Sequence, residues 1–180
     1  MNVVEGIKGI FRRQCLKKYS STVPTGIVPV SGLRSAVAFI DVEDTSFDEC
    51  KGLLVNFFRE HEIKGEIFFF DFRRLSEGER LITSIQTTIL RKDLNWFGRP
   101  SKEKFGLMLK GEPDLFISLI KKEEFPIEFM AKCSRARFKI GRRQLPGNTC
   151  DLVVSDSKER PVSQADLFRQ ILVYLDKIKA

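Results

Sequence analysis

The chain has 180 residues, 42% of them hydrophobic and 31% charged, and a formal net charge of +7. This length suits one domain, and the apolar content excludes a disordered chain, which could not offset the entropy of ordering. The one histidine and four cysteines lack the spacing of zinc ligands or of a CxxC pair, so we predict no metal and no cofactor.

Several signatures of activity and location are missing from the sequence. It has no glycine-rich dinucleotide loop, no P-loop and no GxSxG elbow, so no catalytic signature is present and enzymatic activity stays an open question. We also find no secretory signal and no apolar run of bilayer-spanning length. We therefore expect a reducing, cytoplasmic setting, in which the cysteines are buried hydrophobes.

Residues 1–19 are predicted to form a basic amphipathic helix. Val3, Ile7 and Ile10 recur at helical spacing, and lysine and arginine cover much of the remaining surface. Residues 20–32 follow with two prolines and two glycines, which cannot continue a helix. We interpret this stretch as a linker or as an extended segment that lies along the domain surface.

The remaining chain, residues 33–180, alternates strand and helix patterns and is predicted to form a single α/β domain after the 1–32 arm. Predicted strands cover 36–40, 67–70, 83–90, 115–120, 137–140 and 152–154, and predicted helices cover 47–61, 102–110, 127–133 and 164–178. A further short helix is predicted to start at 76–80. This alternation indicates a three-layer fold, with a mostly parallel sheet of about six strands and helices on both faces.

The positive charge is concentrated in two basic segments. Residues 1–35 hold six basic residues and one acidic residue, and residues 131–145 hold six basic residues and no acidic one. The long stretch between them is mildly acidic. Segregated positive charge attracts polyanions such as RNA, acidic lipid or an acidic protein, although a solvated surface is the simpler interpretation.

The alternating pattern in the second basic segment predicts a strand with cations on one face. Arg135, Arg137 and Lys139 alternate with apolar residues, and Arg142 and Arg143 extend the cationic surface. Arginine rows suit phosphate or carboxylate, which the guanidinium binds through paired hydrogen bonds. The alternative is an edge strand that charge protects from aggregation.

The N-terminal helix supplies four further candidates for anion binding, Arg12, Arg13, Lys17 and Lys18. Basic amphipathic helices dock on anionic membrane surfaces or on ribosomal and other RNA. The alternative is a helix that packs against its own domain or against a second copy of the chain.

Small-ligand candidates follow the predicted strands, where open parallel sheets bind ligands. Asp41 and Asp71 end the first two strands and could hold a cation or share a proton, or else cap the following turns. In the loop 93–100, Asp93, Asn95 and Trp96 could bind a base or ring. The alternative there is an aromatic plug over the edge of the core.

Three motifs in this sequence support a family resemblance. They are Leu94-Asn95-Trp96-Gly98-Pro100, Asp114-Leu115-Ile117-Leu119 and Ser134-Ala136-Phe138-Gly141. With the basic N-terminal helix, they resemble a family of small bacterial proteins of unknown function, found mainly in Bacteroidetes. The resemblance covers most of the chain and implies a compact, cytoplasmic α/β domain. It implies no activity and no catalytic residue.

Three functional hypotheses follow from the sequence. The first is a non-enzymatic binding module that docks on a polyanion, most plausibly RNA or a ribonucleoprotein. The second is an enzyme or binding protein for a phosphate- or carboxylate-bearing small molecule at the strand ends. The third is a membrane-peripheral adaptor held by the N-terminal helix.

Overall fold

The computed structural model describes residues 3–73, 81–122, 124–156 and 161–179, so the predicted helix start at 76–80 lies outside the described residues. The strands are β1 Ser35–Asp41, β2 Lys64–Asp71, β3 Thr88–Leu90, β4 Leu115–Ser118, β5 Phe138–Gly141 and β6 Leu152–Val153. The helices are α1 Val3–Tyr19, α2 Phe47–Glu60, α3 Lys102–Met108, α4 Phe125–Cys133 and α5 Gln164–Lys177.

The six strands form one sheet in the order β3-β2-β1-β4-β5-β6, and every neighbouring pair is parallel. Ala38 in the central strand β1 is the register partner of Ile67 in β2 and of Ile117 in β4. The chain winds outward in opposite directions from β1 and β4. At such a reversal the loops that follow the two strands diverge and leave a crevice at their carboxyl ends.

Two hydrophobic cores lie on opposite faces of the sheet, because successive strand residues point to opposite sides. Ile40 of β1 packs with residues of α2 and α5, such as Phe57 and Phe168. Phe39, the preceding residue, packs in the other core with residues of α1, α3 and α4, such as Phe129. Each fully buried side chain of this size contributes about 1.5–3 kcal/mol. The predicted three-layer α/β fold is therefore confirmed, with a sheet that is parallel throughout.

The segment between α1 and β1 lies along the domain surface, which is one of the two interpretations open from the sequence. The amide of Ser21 donates to the carbonyl of Lys132 at 2.9 Å, and the amide of Gly26 donates to the carbonyl of Arg137 at 2.8 Å. Further along, Val30 packs against the core beneath α2 and α5. The segment thus ties the layer that contains α1 to the opposite layer.

Two strands differ from their predictions. In the predicted strand 83–90 only Thr88–Leu90 is extended, and Ile85 is exposed in a turn before it. β5 was expected to be half exposed or an edge strand, and both expectations are wrong. It is paired with β4 on one side and β6 on the other, and all four of its residues are buried. The alternation of residues along a short stretch does not by itself reveal how long the strand is or whether it has two neighbouring strands.

Candidate functional site

The exposed arginines before β5 are paired with acidic residues of the same surface. Arg135 Nη2 lies 2.5 Å from Glu112 Oε1, and Arg137 Nη2 lies 2.6 Å from Asp114 Oδ1. Asp114 also accepts hydrogen bonds of 2.7 and 3.0 Å from the backbone amides that begin β1. Burial works to raise the pKa of Asp114, but these hydrogen bonds outweigh it and hold the pKa below its ordinary value.

Lys139 points into the layer that contains α1 and α4, and it is only 4% exposed. Its Nζ donates to the carbonyl of Ala131 at 2.8 Å. This carbonyl belongs to the last turn of α4, where backbone acceptors have no partner within the helix. Among the described residues no carboxylate lies within ion-pair distance of the Lys139 ammonium. Burial lowers the pKa of this ammonium, and the charge of Asp151, which accepts from the Lys139 amide at 2.8 Å, works against that lowering.

Arg142 follows β5 directly and is 3% exposed. Its Nε and Nη2 donate to the two carboxylate oxygens of Asp156 at 2.8 and 2.7 Å. The side-chain hydrogen bonds from Arg142 lower the pKa of Asp156. Arg143 is exposed and donates to the carbonyl of Lys121 at 3.2 Å. The expectation that Lys139 and Arg142 stand on an exposed cationic face is therefore wrong, while anion binding by this segment stays a prediction.

α1 packs on its own domain through one side of its C-terminal half. Cys15 is buried there, and Arg12 Nε donates to the carbonyl of Phe97 at 2.7 Å. The guanidinium carbon of Arg12 also lies 5.2 Å from the centre of the Phe125 ring. Arg12 is thus a structural link between α1, the loop 93–100 and α4, which is the alternative left open for the N-terminal helix.

Three other cations of α1 are exposed, whereas Lys8 is half-buried and pairs with Glu5 at 2.7 Å. Within the described part of the chain, Arg13, Lys17 and Lys18 form no ion pair. Lys18 does lie over the ring of Tyr19, with its Nζ 5.4 Å from the ring centre. These three charges are therefore available to a partner in a way that Arg135, Arg137 and Arg142 are not.

The two basic segments meet at one open cavity of about 410 Å³, which we call the basic cavity. Lys17 of α1 and Lys139 of β5 both line it, together with Lys132 of α4. No described residue that lines it is acidic. Lys132 has a partner outside the cavity lining, since its Nζ lies 2.6 Å from Glu128 Oε1. Lys17 and Lys139 have none among the described carboxylates.

Hydroxyl groups complete the lining of the basic cavity. The lining also includes Ser20, Ser21, Thr25, Asn148 and Thr149. The hydroxyl of Thr25 donates to Asp151 Oδ1 at 2.7 Å, and that of Thr149 donates to the carbonyl of Pro146 at 2.9 Å. Hydroxyls, amides and ammonium groups are the donors that bind phosphate oxygens. Sequence reasoning missed Lys132 and these hydroxyls. The cluster of small hydroxyl residues directly after Lys17 and Lys18 is the signal that could have found them.

At the carboxyl ends of β1 and β2, Asp41 and Asp71 lie around one lysine. Lys122 Nζ is 3.7 Å from Asp41 Oδ2, and its charge contributes to lowering the pKa of Asp71. The main cause of that lowering is a bidentate hydrogen bond from Arg73. Burial raises the pKa of Asp41, which also accepts from the amide of Glu43 at 2.9 Å. Both carboxylates thus stabilise the turns after their strands.

The loop 93–100 is an ordered turn whose polar side chains bond to backbone. Asp93 Oδ2 accepts from the amide that ends β3 at 2.8 Å. Asn95 Oδ1 accepts from the amides of Phe97 and Arg99 at 3.2 and 2.9 Å. Phe97 is buried, as a core plug would be. Trp96 is exposed. Its ring contacts Phe11 of α1.

The thiols do not suggest redox or metal chemistry. Cys15, Cys50, Cys133 and Cys150 are all buried and reduced. Burial raises the pKa of Cys50 and of Cys133 to about 12, so neither forms an appreciable thiolate near neutral pH. Over the described ranges of the chain, no group of histidine, cysteine, aspartate and glutamate has the geometry to hold a metal ion.

The fold and the site define the class of protein: a three-layer α/β domain with an all-parallel sheet, an appended basic helix and a lysine-lined cavity beneath that helix. A family model matches residues 11–178, and the chain belongs to this family of unknown function, DUF6913. No curated protein and no solved structure matches the chain. None of the helices in the described residues is long and apolar enough to cross a bilayer.

Proposed function

We propose that this protein is a docking module that binds a phosphate-bearing polyanion through the exposed cations of α1 and the basic cavity. One observation carries the proposal: Lys17 and Lys139, from basic segments far apart in the sequence, line the same cavity. Buried charges are normally paired, and the ammonium of Lys139 forms no ion pair with a described carboxylate, although the charge of Asp151 acts on it from beyond ion-pair distance. A bound phosphate group would supply that partner.

The chemistry fits phosphate better than carboxylate. Three lysines and four hydroxyl residues line the basic cavity, and of these hydroxyls Thr25 and Thr149 already donate within the protein. Arg13, Lys17 and Lys18 continue the positive surface along α1. RNA, a ribonucleoprotein and an anionic lipid surface all repeat phosphate groups at short intervals and share this chemistry. We also propose the cytoplasmic setting that the sequence predicts and the bacterial origin that the family resemblance implies.

The test uses two soluble phosphate polymers, a fluorescein-labelled single-stranded RNA oligonucleotide and inorganic polyphosphate. Binding to the full chain is measured by anisotropy for the RNA and by competition for the polyphosphate, over a series of salt concentrations. We expect the variant Arg13→Ser/Lys17→Ser/Lys18→Ser to lose affinity. The salt slope for the RNA should fall by about 0.7 for each phosphate contact that is removed.

The matched control is Arg135→Ser/Arg137→Ser, which also removes exposed positive charge. These arginines are already neutralised by Glu112 and Asp114, so we expect their loss to leave affinity and salt slope close to wild type. Wild-type protein that binds neither polymer, or a control variant that loses as much affinity as the α1 variant, would overturn the proposal.

A second candidate function rests on the crevice beside Asp41 and Asp71, where Lys122 pairs with Glu43 at 2.6 Å and lies 3.7 Å from Asp41. The strand order of this sheet is that of dinucleotide-binding domains, in which ligands bind at the same crevice. The turn after β1 carries carboxylates where such domains carry a glycine-rich phosphate loop. A thermal-shift panel of nucleotides and sugar phosphates tests it. A saturable stabilisation that Lys122→Ala removes would support a small-ligand site, and a panel without hits would remove this candidate.

A further inference from the structure

We propose that the polyanion is an anionic membrane surface, on which α1 lies with an apolar row facing the lipid. This inference rests on the proposed function, because it names the partner of the same basic face. It uses a feature that the basic cavity leaves unexplained. Five apolar residues of α1 are exposed to solvent instead of buried in the core.

The outward row consists of Val3, Val4, Ile7, Ile10 and Phe11, whose exposed fractions range from 44% to 76%. The side of the same helix that packs on the domain includes Cys15, Leu16 and Tyr19. A helix that served only to cover the core would turn its larger aliphatic side chains inward. In α1 Leu16 does pack inward, beside Cys15 and Tyr19, but the aliphatic residues Val3, Val4, Ile7 and Ile10 remain exposed.

Trp96 extends the outward row beyond the helix. It is 55% exposed, and its ring lies 5.0 Å from Phe11 in an edge-to-face arrangement. Its position is fixed, because Phe97 beside it is buried and the amides of the turn are bonded to Asn95. Tryptophan and phenylalanine beside lysine and arginine are typical of segments that bind at a membrane interface.

The charges around the row select an anionic surface. Arg13, Lys17 and Lys18 occur on the same helix and form no ion pair within the described part of the chain. Near a membrane of acidic lipid each such cation contributes favourably. RNA would use these cations but would leave five apolar side chains and Trp96 in water. A lipid surface accounts for both the cations and the apolar row.

The length of α1 fits a helix in the plane of the membrane. Its 17 residues extend about 25 Å at 1.5 Å per residue, and the helix carries too many charges to enter the hydrocarbon core. Docking by this side places the layer of α1 and α4 against the lipid. The layer of α2 and α5 then faces away, which supplies control positions on the same molecule.

The experiment uses the full chain and vesicles of phosphatidylcholine, with and without phosphatidylglycerol. Trp96 is the only tryptophan, so intrinsic fluorescence reports its surroundings alone. We expect a blue shift and protection from iodide quenching with the anionic vesicles, and neither change with pure phosphatidylcholine. Sedimentation with the vesicles gives the affinity. For Ile7→Ser/Ile10→Ser we expect at least a tenfold loss.

The matched control is Val55→Ser/Val173→Ser, which removes two exposed aliphatic residues from α2 and α5. It should bind vesicles as wild type does. All four positions are exposed, so thermal unfolding should confirm that both variants fold. RNA and polyphosphate binding should survive in Ile7→Ser/Ile10→Ser, which separates the apolar contact from the basic face.

Two results would contradict membrane binding by α1 without contradicting the proposed function. One is vesicle binding that does not change in Ile7→Ser/Ile10→Ser and does not shift Trp96. The other is lysine-dependent binding of RNA without vesicle binding, which would identify a nucleic-acid partner. Self-association that depends on Ile7 and Ile10, without vesicle binding, would instead assign the row to a second copy of the chain. Failure to bind vesicles and both polymers would remove the proposed function as well.

Discussion

The two basic segments carry the same number of positive charges, yet the fold uses them in opposite ways. In residues 131–145 the guanidinium groups of Arg135, Arg137 and Arg142 lie against carboxylates, and two of the cations are buried. In α1 the cations beyond Arg12 project into solvent. Local charge density is thus a poor guide to function, because acidic residues distant in sequence decide whether a cation is available to a partner.

The comparison predicts that charges of the second segment contribute to stability and that charges of α1 contribute to binding. Removing one partner of a buried ion pair leaves an unpaired buried charge, which is strongly destabilising. Removing an exposed cation without a partner costs almost nothing in stability. The variants below test this division.

The largest effect is expected for Arg142→Met. The change leaves the Asp156 carboxylate without its bidentate partner in a site that is nearly closed to solvent. We expect a loss of about 3–5 kcal/mol in the free energy of unfolding, measured by urea denaturation. Arg143→Met, one residue further and exposed, serves as the control and should cost less than about 1 kcal/mol. Equal effects would contradict the division.

Asp114→Ala is expected to cost about 1–3 kcal/mol, because two backbone amides at the start of β1 lose their acceptor. The pKa of Asp114 is lowered in the folded state, so its contribution is present above the ordinary value of 3.8 and is lost as pH falls through the folded value. Unfolding free energies of wild type and variant should therefore converge in acid. Arg137→Ser removes only the exposed partner and should cost at most about 1 kcal/mol.

Lys139→Met should alter the alkaline limb of the stability profile. The folded protein disfavours the charged form of Lys139, so between its lowered pKa and the ordinary value of 10.5 the unfolded chain binds more protons. Wild-type stability should consequently rise with pH across that window, and the variant should lack the rise. Urea denaturation at several alkaline pH values measures it. Identical profiles would show that Lys139 is neutralised by another group.

The smallest effect on stability is expected for Arg13→Ser/Lys17→Ser/Lys18→Ser. These exposed side chains have no carboxylate partner among the described residues, so unfolding free energy should stay within about 0.5 kcal/mol of wild type. The same variant is the one expected to lose polyanion affinity. Destabilisation comparable to that of Arg142→Met would assign these cations a structural role.

Most elements of the fold were predictable because hydrophobic periodicity is a local property. The predicted helix 164–178 agrees with α5 to within a residue, and Ser163 caps α5 by accepting a hydrogen bond from the amide of Asp166. Asp41 and Asp71 end their strands as predicted. The candidate site was predictable only in part, since Lys17 and Lys139 were named but their meeting was not.

The sequence by itself determined the α/β alternation and the basic character of α1, because each depends on residues close together in the chain. Tertiary structure alone decided the strand order, the burial of Lys139 and Arg142, and the side of α1 that faces water. These depend on which distant segments become neighbours. For a charged side chain, the neighbours determine whether it is desolvated and paired or remains free to bind.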